Sequence, residues 1–379
     1  MQKFDPRNER FIYELEDASS FIAQNGALLR NCTFQEIDFT QLDMDWTAFR
    51  IENITFLGCK MLMKDELVLH EKGAYIYKAP PSLPYNPFRH ALYTWQELME
   101  GYHPKNDQSI DLKIYQHFYD TKFNPTINEA LWQRIHDHAM DDSLRELLEY
   151  DDQGMTKKKC VGFMGGHSTK RTDSYYMKTA LSAKLLAEND YFIVSGGGPG
   201  IMEATNLGAY FAGKPHEDLL KAIGILQQAP HYTNKDFNQK ALDVLEEFPE
   251  GNESLAIPTW FYGHEPSNLF ASHIAKYFSN SIREDTLLAI SLYGIVCAPG
   301  SAGTTQEIFM DATQNHYGTF NYYSPMVFLG HKRYEIDTLI FPLLKQLSWG
   351  KEYSKLLFLT DEPTEILAWL NQHPPIPIE

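Results

Sequence analysis

Two glycine-rich loops constrain most of what this chain can fold into. Each follows a short apolar run and opens a stretch of helical periodicity. Tyr191-Phe192-Ile193-Val194 leads into Ser195-Gly196-Gly197-Gly198-Pro199-Gly200, after which Ile201, Ala204, Leu207 and Phe211 recur at helical spacing. The run 294–298 leads into Pro299-Gly300-Ser301-Ala302-Gly303-Thr304-Thr305, after which come Ile308, Phe309 and Ala312. Glycines let the backbone come close to a ligand, and the N–H groups and dipole of a starting helix favour an anion such as phosphate. For the first loop the alternative is a tight strand-to-helix turn with no ligand. Neither loop has the G-x-G-x-x-G spacing of a dinucleotide fingerprint, and neither carries a Walker Lys-Ser/Thr pair. That spacing argues against an NAD-dependent oxidoreductase.

The surrounding pattern predicts an α/β fold, a doubly wound, Rossmann-like parallel sheet. Apolar runs at 161–164, 191–194, 222–226, 257–262, 294–298, 326–329 and 356–359 read as strands. They are continuous rather than alternating, as in strands buried on both faces. Helical stretches at 174–187, 201–212, 269–292, 304–315, 336–347 and 365–371 lie between them. In such folds ligands bind beyond the carboxyl ends of the strands.

Residues 1–153 read differently, as a β-rich or mixed extension of unknown role. Phe34, Phe39, Met44, Phe49, Ile54 and Cys59 recur at every fifth position, with Cys32, Ile37 and Leu42 two residues before the first three. This spacing is that of a short pentapeptide-like ladder over 32–59; an irregular β-rich segment with chance periodicity is the alternative. Residues 67–77 read as strands, and 127–148 as a helix with Asn124 or Thr126 near its start. The segment Asp151-Asp152-Gln153-Gly154 is the expected boundary, leaving 154–379 as the Rossmann-like domain.

Composition narrows the function. A net charge of −17 argues against a nucleic-acid surface, which needs clustered Lys and Arg. No apolar run is long enough to span a bilayer, and the start of the chain is no signal peptide, so a cytoplasmic protein with no membrane partner is expected. Cys32, Cys59, Cys160 and Cys297 show no C-x-x-C spacing, and the histidines lack a third metal partner, so neither metal nor cofactor is expected. Lys214 after Gly213 falls at a helix end rather than in a Schiff-base context. In the second loop, Thr304-x-x-Glu307 has capping-box spacing, which offers Glu307 a structural role beside a catalytic one. Arg283, next to Glu284 and Asp285, is either a helix surface charge or a site residue. Within 260–268, the aromatics read as core, and His264, Glu265 and Asn268 either support that core or line a pocket.

With both loops in place, the residues from about Cys160 onward resemble the LOG ("Lonely Guy") family, long mislabelled as lysine decarboxylases. Its members are nucleoside 5′-monophosphate phosphoribohydrolases, and the added N-terminal region is similar to a large bacterial subtype. The family's G-G-G-x-x-G is matched by Gly196 through Gly200, one residue shorter in its last interval. Its P-G-G-x-G-T-x-x-E is matched by Pro299 through Glu307, with Ser301 in place of the second glycine. The early turn after the first strand is matched by Gly165-Gly166-His167-Ser168, where His167 departs from the pattern. The resemblance implies catalytic roles for Glu307 and Arg283. It implies phosphate or substrate binding by Gly166, Ser168, Gly197, Gly198, Gly200, Gly300, Ser301, Gly303, Thr304 and Thr305, and leaves His264 and Asn268 as base-pocket candidates. The implied reaction is hydrolysis of the N-glycosidic bond of a nucleoside monophosphate such as AMP to free base and ribose 5-phosphate, in a homodimer or higher oligomer. A non-catalytic nucleotide sensor or carrier on the same fold is the alternative.

Overall fold

A computed structural model describes residues 9–151 and 154–378. Asp152 and Gln153, in the middle of the expected domain boundary, lie outside the described residues, as does the start of the chain. Two compact units interleave along the sequence. One comprises, among the described residues, 9–91 and 121–143; the other comprises 92–120, 144–151 and 154–378.

In the first unit, four strands lie parallel in sequence order: β1 (Arg10–Ile12), β2 (Leu28–Gln35), β3 (Arg50–Leu57) and β4 (Tyr75–Tyr77). Cys32 pairs with Arg10 on one side and Ile54 on the other, and Phe34 sits between Ile12 and Phe56. Like rows therefore stack, and the Phe34 and Phe56 rings lie 5.2 Å apart at 21°. Asn31 and Asn53 stack in the same register, both left-handed at φ 51° and 53°, and Asn53 Nδ2 donates to Asn31 Oδ1 at 3.1 Å. Asn tolerates this conformation better than most residues. The fifth-position residues Phe34, Phe39, Ile54 and Cys59 are buried in one apolar core, with Met44 and Phe49 packed against it. Helix α1 (Leu15–Asn25) lends Phe21 and Ile22 to that core, and α2 (Met63–Glu71) lends Leu69. Of the expected strand region 67–77, residues 67–71 belong instead to helix α2. Asp65 and Glu66 in the first turn and His70 in the last complement a helix dipole, and only 75–77 pairs as strand.

Next along the chain come the helices α3 (Trp95–Leu98), α4 (Ile110–Thr121) and α5 (Ile127–Leu148). Thr126 Oγ1 accepts from the Glu129 N–H at 3.2 Å, which makes Thr126 the residue that caps α5.

The second unit runs β5 (Lys159–Met164), α6 (Ser174–Ala187), β6 (Tyr191–Ser195), α7 (Ile201–Tyr210), α8 (His216–Leu226), α9 (Phe237–Glu247), β7 (Leu255–Ala256), β8 (His273–Ile274), α10 (Asn280–Ile290), β9 (Ile295–Cys297), α11 (Ala302–Tyr317), β10 (Tyr322–Tyr323), β11 (Met326–Leu329), α12 (Ile340–Leu347), β12 (Leu357–Thr360), α13 (Pro363–Gln372) and β13 (Ile376–Pro377). Its main sheet has seven parallel strands in the order β12-β11-β9-β5-β6-β7-β8. Val161 and Phe163 join Ala183, Leu186 and Ile366 in one core layer. Gly162 between them faces the other way, so close to Ser291 that a β-carbon would sit 2.5 Å from its Oγ. Both faces of the sheet are thus covered, and this is the expected doubly wound α/β fold. The order reverses between β5 and β9, which opens a crevice beyond their carboxyl ends. Among the described residues no helix is long and apolar enough to cross a membrane.

Three expected elements differ. Residues 222–226 are helix, because Leu219, Ala222, Ile223 and Leu226 recur at 3–4 spacing and all face the core. The expected strand at 257–262 is mostly irregular; the sheet pairing stops at Ala256 apart from a Thr259–Tyr277 bridge. The expected helix at 269–292 begins only at Asn280, since 273–274 is drawn into the sheet edge beside β7.

One buried ion pair ties the helical layer together. Arg171 donates through Nε and Nη2 to Glu203 at 2.8 and 2.5 Å, and through Nη1 to the carbonyls of Leu226, Ala229 and Phe237 at 3.4, 3.1 and 3.2 Å. Tyr176 Oη adds a 2.8 Å donation to the same carboxylate. The pair is about 1% and 3% exposed, so neither charge can turn to water. Glu203→Gln, which leaves Arg171 uncompensated, is expected to cost about 3–5 kcal/mol in denaturant unfolding. A loss below about 1 kcal/mol would show that the pair is not holding the helices.

Candidate functional site

A cavity of about 590 Å³ opens at the β5/β9 crevice. Its walls come from the turn after β5, both glycine loops, the irregular stretch after β7, and the starts of α10 and α11.

The loops are interlocked. The Gly166 N–H donates to Pro299 O at 3.0 Å, and Gly166 O accepts from the Ile201 N–H at 3.1 Å. One residue after β5 therefore joins the second loop to the helix that the first loop opens. Gly200 has φ 70°, and a β-carbon there would lie 2.4 Å from Gly166 O, so conformation and contact both require glycine. A buried polar chain holds the first loop from below. Ser195 Oγ accepts from the Gly197 N–H at 3.0 Å and donates to Asn206 Oδ1 at 2.6 Å; Asn268 Nδ2 donates to the same oxygen at 2.7 Å. The second loop is held by Arg333, which donates to Gly300 O.

Arg283 projects from α10 to the centre of the site. Nε donates to Ile257 O at 2.7 Å, Nη2 to Gly196 O at 3.2 Å, and Nη1 to Glu307 Oε1 at 3.3 Å. The side chains of Arg283 and Glu307 are 9% and 12% exposed, so Arg283 is not a surface helix charge. Gly196 leaves the space it needs: a β-carbon there would lie 2.4 Å from Nη2.

Glu307 does not close a capping box. Helix α11 starts at Ala302 with Ser301 as its cap residue, two positions earlier than expected, which places Thr304 inside the first turn. The carboxylate is left to pair with Arg283. Burial raises its pKa, Arg283 pulls it back, and nearby Glu284 raises it further. Glu284 is itself bound by Asn280 Nδ2 at 2.7 Å and Gln306 Nε2 at 2.8 Å.

A second buried ion pair reaches the cavity from α4. Lys276 Nζ donates to both oxygens of Asp111 at 2.7 and 2.9 Å and to Ser267 Oγ at 2.9 Å. Trp260 Nε1 donates to Asp111 Oδ1 at 2.8 Å, and Ser267 Oγ to Oδ2 at 3.0 Å. Burial is the largest single influence on Asp111 and raises it, but Lys276, His264 and Trp260 together outweigh burial and hold the carboxyl below its ordinary range.

Of the expected residues, Gly166, Gly197, Gly198, Ser301, Gly303, Thr304, Arg283 and Glu307 line the cavity. Gly200, Gly300 and Thr305 instead shape the backbone behind it, Ser168 is exposed, and none of the four is in the wall. His264 and Asn268 do not line it either. Asn268 is spent on the loop below and on Met202 O at 3.0 Å. His264 packs against the Tyr115 ring, tilted by 44° at 5.6 Å, and has a pKa lowered by burial, with Asp111 pulling it back up. Between them, Glu265, Pro266 and Ser267 do face the cavity. Lys276 was not expected there, although a single lysine inside Ile274–Phe278 signals a paired buried charge. Tyr232, which meets the His167 ring at 5.8 Å, gave no signal in the sequence.

The chain matches no protein-family model and no curated protein. Among solved structures, a molybdenum cofactor binding protein from the phototrophic bacterium Rippkaea orientalis is 14% identical and covers 57% of this chain and 97% of its own, with a TM-score of 0.37. A Moco carrier protein from Chlamydomonas reinhardtii is 14% identical over 57% and 97%, with a TM-score of 0.36. TM1055 is 14% identical over 57% and 99%, with a TM-score of 0.33. A likeness this distant carries no residue role from one protein to another.

One turn beyond Glu307 on α11, Asp311 is 2% exposed, and its Oδ2 has no hydrogen-bond partner. Burial pushes its carboxyl up to about 8. An unfolded aspartate titrates near ~3.9, so between about pH 4 and 8 the folded chain keeps a proton that the unfolded chain releases. Stability is therefore lost as pH rises through that window. Asp311→Asn is expected to melt above the wild type at pH 8 and close to it at pH 4. An equal offset at both pH values would contradict the protonated assignment.

Proposed function

We propose that the chain binds a nucleoside 5′-monophosphate in this cavity and hydrolyses its N-glycosidic bond. The observation that carries the reading is the buried Arg283–Glu307 pair, set between two glycine loops in one cavity. The start of α11 offers backbone N–H groups and a dipole to the phosphate. Ser301, Gly303 and Thr304 line the wall there. Holding the phosphate fixes the ribose, which turns binding energy into orientation.

Cleavage of an N-glycosidic bond builds positive charge on the ribose, as in glycoside hydrolysis. Ionised Glu307, facing the ribose, stabilises that charge and orients the ribose hydroxyls or the attacking water. A carboxylate that is poorly hydrated before substrate arrives acts more strongly than one in water. Arg283 cannot lose its charge and is fixed by two backbone carbonyls, so it keeps Glu307 in place. The products are a free base and ribose 5-phosphate.

The resemblance to the LOG family over residues 160–379 supports the same reading through the two loops and this residue pair. In the alternative, a nucleotide carrier without catalysis, Glu307 has only its structural part in the pair with Arg283.

The test is release of free base from a panel of nucleoside monophosphates. The wild type is expected to release base. Glu307→Gln is expected to reduce kcat by about 10²–10³-fold while still binding nucleotide. Because burial raises Glu307, the acid limb of the wild-type rate is expected above the ordinary glutamate range. Nucleotide binding by the wild type without release of base would leave a carrier.

A further inference from the structure

Five charged side chains line the cavity: Glu265, Lys276, Arg283, Glu284 and Glu307. Four have partners within the protein. Lys276 is held by Asp111 and Ser267, Arg283 and Glu307 hold each other, and Glu284 is bound by Asn280 and Gln306. Glu265 alone has no hydrogen bond or ion pair among the described residues, and it is only half exposed to water. A carboxylate left unmatched in a partly closed cavity is poised for a donor that arrives from outside.

Its position is set. The stretch that carries it has no regular structure, but both ends are anchored. The Trp260 N–H donates to Tyr277 O at 3.1 Å, and the Asn268 N–H to Gly197 O at 3.1 Å. Ser267, two residues on, is bound by Asp111 and Lys276. Glu265 Oε2 consequently lies over the first glycine loop, 3.1 Å from where a β-carbon of Gly198 would stand, beside Met202.

That location orients the ligand. A phosphate at the first loop would meet a bare carboxylate, and like charges this close repel. The second loop has the α11 N-terminus, with Glu307 one turn inside it and neutralised by Arg283. The phosphate therefore belongs to the second loop, the ribose to Arg283 and Glu307, and the base to the end where Glu265 waits.

We infer that Glu265 selects the base, accepting a hydrogen bond from an exocyclic amino group and repelling a carbonyl oxygen at the same place. The inference rests on the nucleotide reading of the site and names which nucleotides it takes. Amino-bearing bases are favoured over their oxo counterparts. A hydrogen bond to a charged group, against repulsion of a carbonyl, corresponds to a preference of about 10-fold to 100-fold.

AMP and IMP differ at that amino group, so they are the probes. The full chain is titrated with each by calorimetry, as wild type and as Glu265→Gln. The wild type is expected to bind AMP at least about 10-fold more tightly than IMP. A glutamine amide can donate as well as accept, so the variant is expected to bring the ratio close to one, with an unchanged melting temperature. A wild type that binds both equally overturns the inference and leaves the nucleotide reading standing. So does a folded variant that keeps the wild-type ratio. Binding of neither nucleotide overturns both readings, and because the wild-type ratio is decisive by itself, a variant that fails to fold does not rescue the inference.

Discussion

The guanidinium of Arg283 is the point on which the site depends. Three segments converge on it: the end of β7 through Ile257 O, the first glycine loop through Gly196 O, and α11 through Glu307. Each comes from a different crossover of the sheet, and nothing in the parallel ladder itself fixes how far apart such loops stand. A planar cation with several fixed donors can set those distances at once, which a flexible ammonium cannot. The missing side chain at Gly196 is part of the same arrangement, because a methyl group would displace the cation that positions the carboxylate.

What was legible in the sequence divides along physical lines. The strand–loop–helix segments around β5, β6, β9 and β11 could be read because their patterns are local: an apolar run, a glycine turn, and a helical period. Helix α6 was readable residue for residue, since Asp173 caps its first turn and accepts from the Tyr175 N–H at 2.8 Å. The errors arose where two periodicities coexist or where a tertiary edge decides. Residues 222–226 are apolar enough for a strand, but they continue a helical stripe that begins at Leu219. Residues 273–274 would suit a helix, yet they complete the sheet edge beside β7.

The same division holds for the site. Glu307, Arg283 and most of the glycines were visible because they sit in contiguous motifs. The Asp111–Lys276 pair was not, because its members are far apart in sequence and neither carries a motif. Asn268 looked like a pocket residue from its neighbours, yet its amide is consumed in the hydrogen-bond chain under the first loop. Motif reading finds groups that a loop presents outward. It does not tell which polar side chains are already satisfied from within, and that distinction separates Asn268 from Glu265.

The interlocking of the two loops through Gly166 has an entropic consequence. Loops that bind anions are often mobile until the ligand arrives, and part of the binding free energy is then lost in ordering them. Here the rim shares atoms. The Gly166 N–H belongs to the second loop's network and its carbonyl to the start of α7. Ordering of this rim is completed when the sheet and its helices fold, before any ligand is present. Contacts made to it can then appear in affinity and orientation with little conformational penalty.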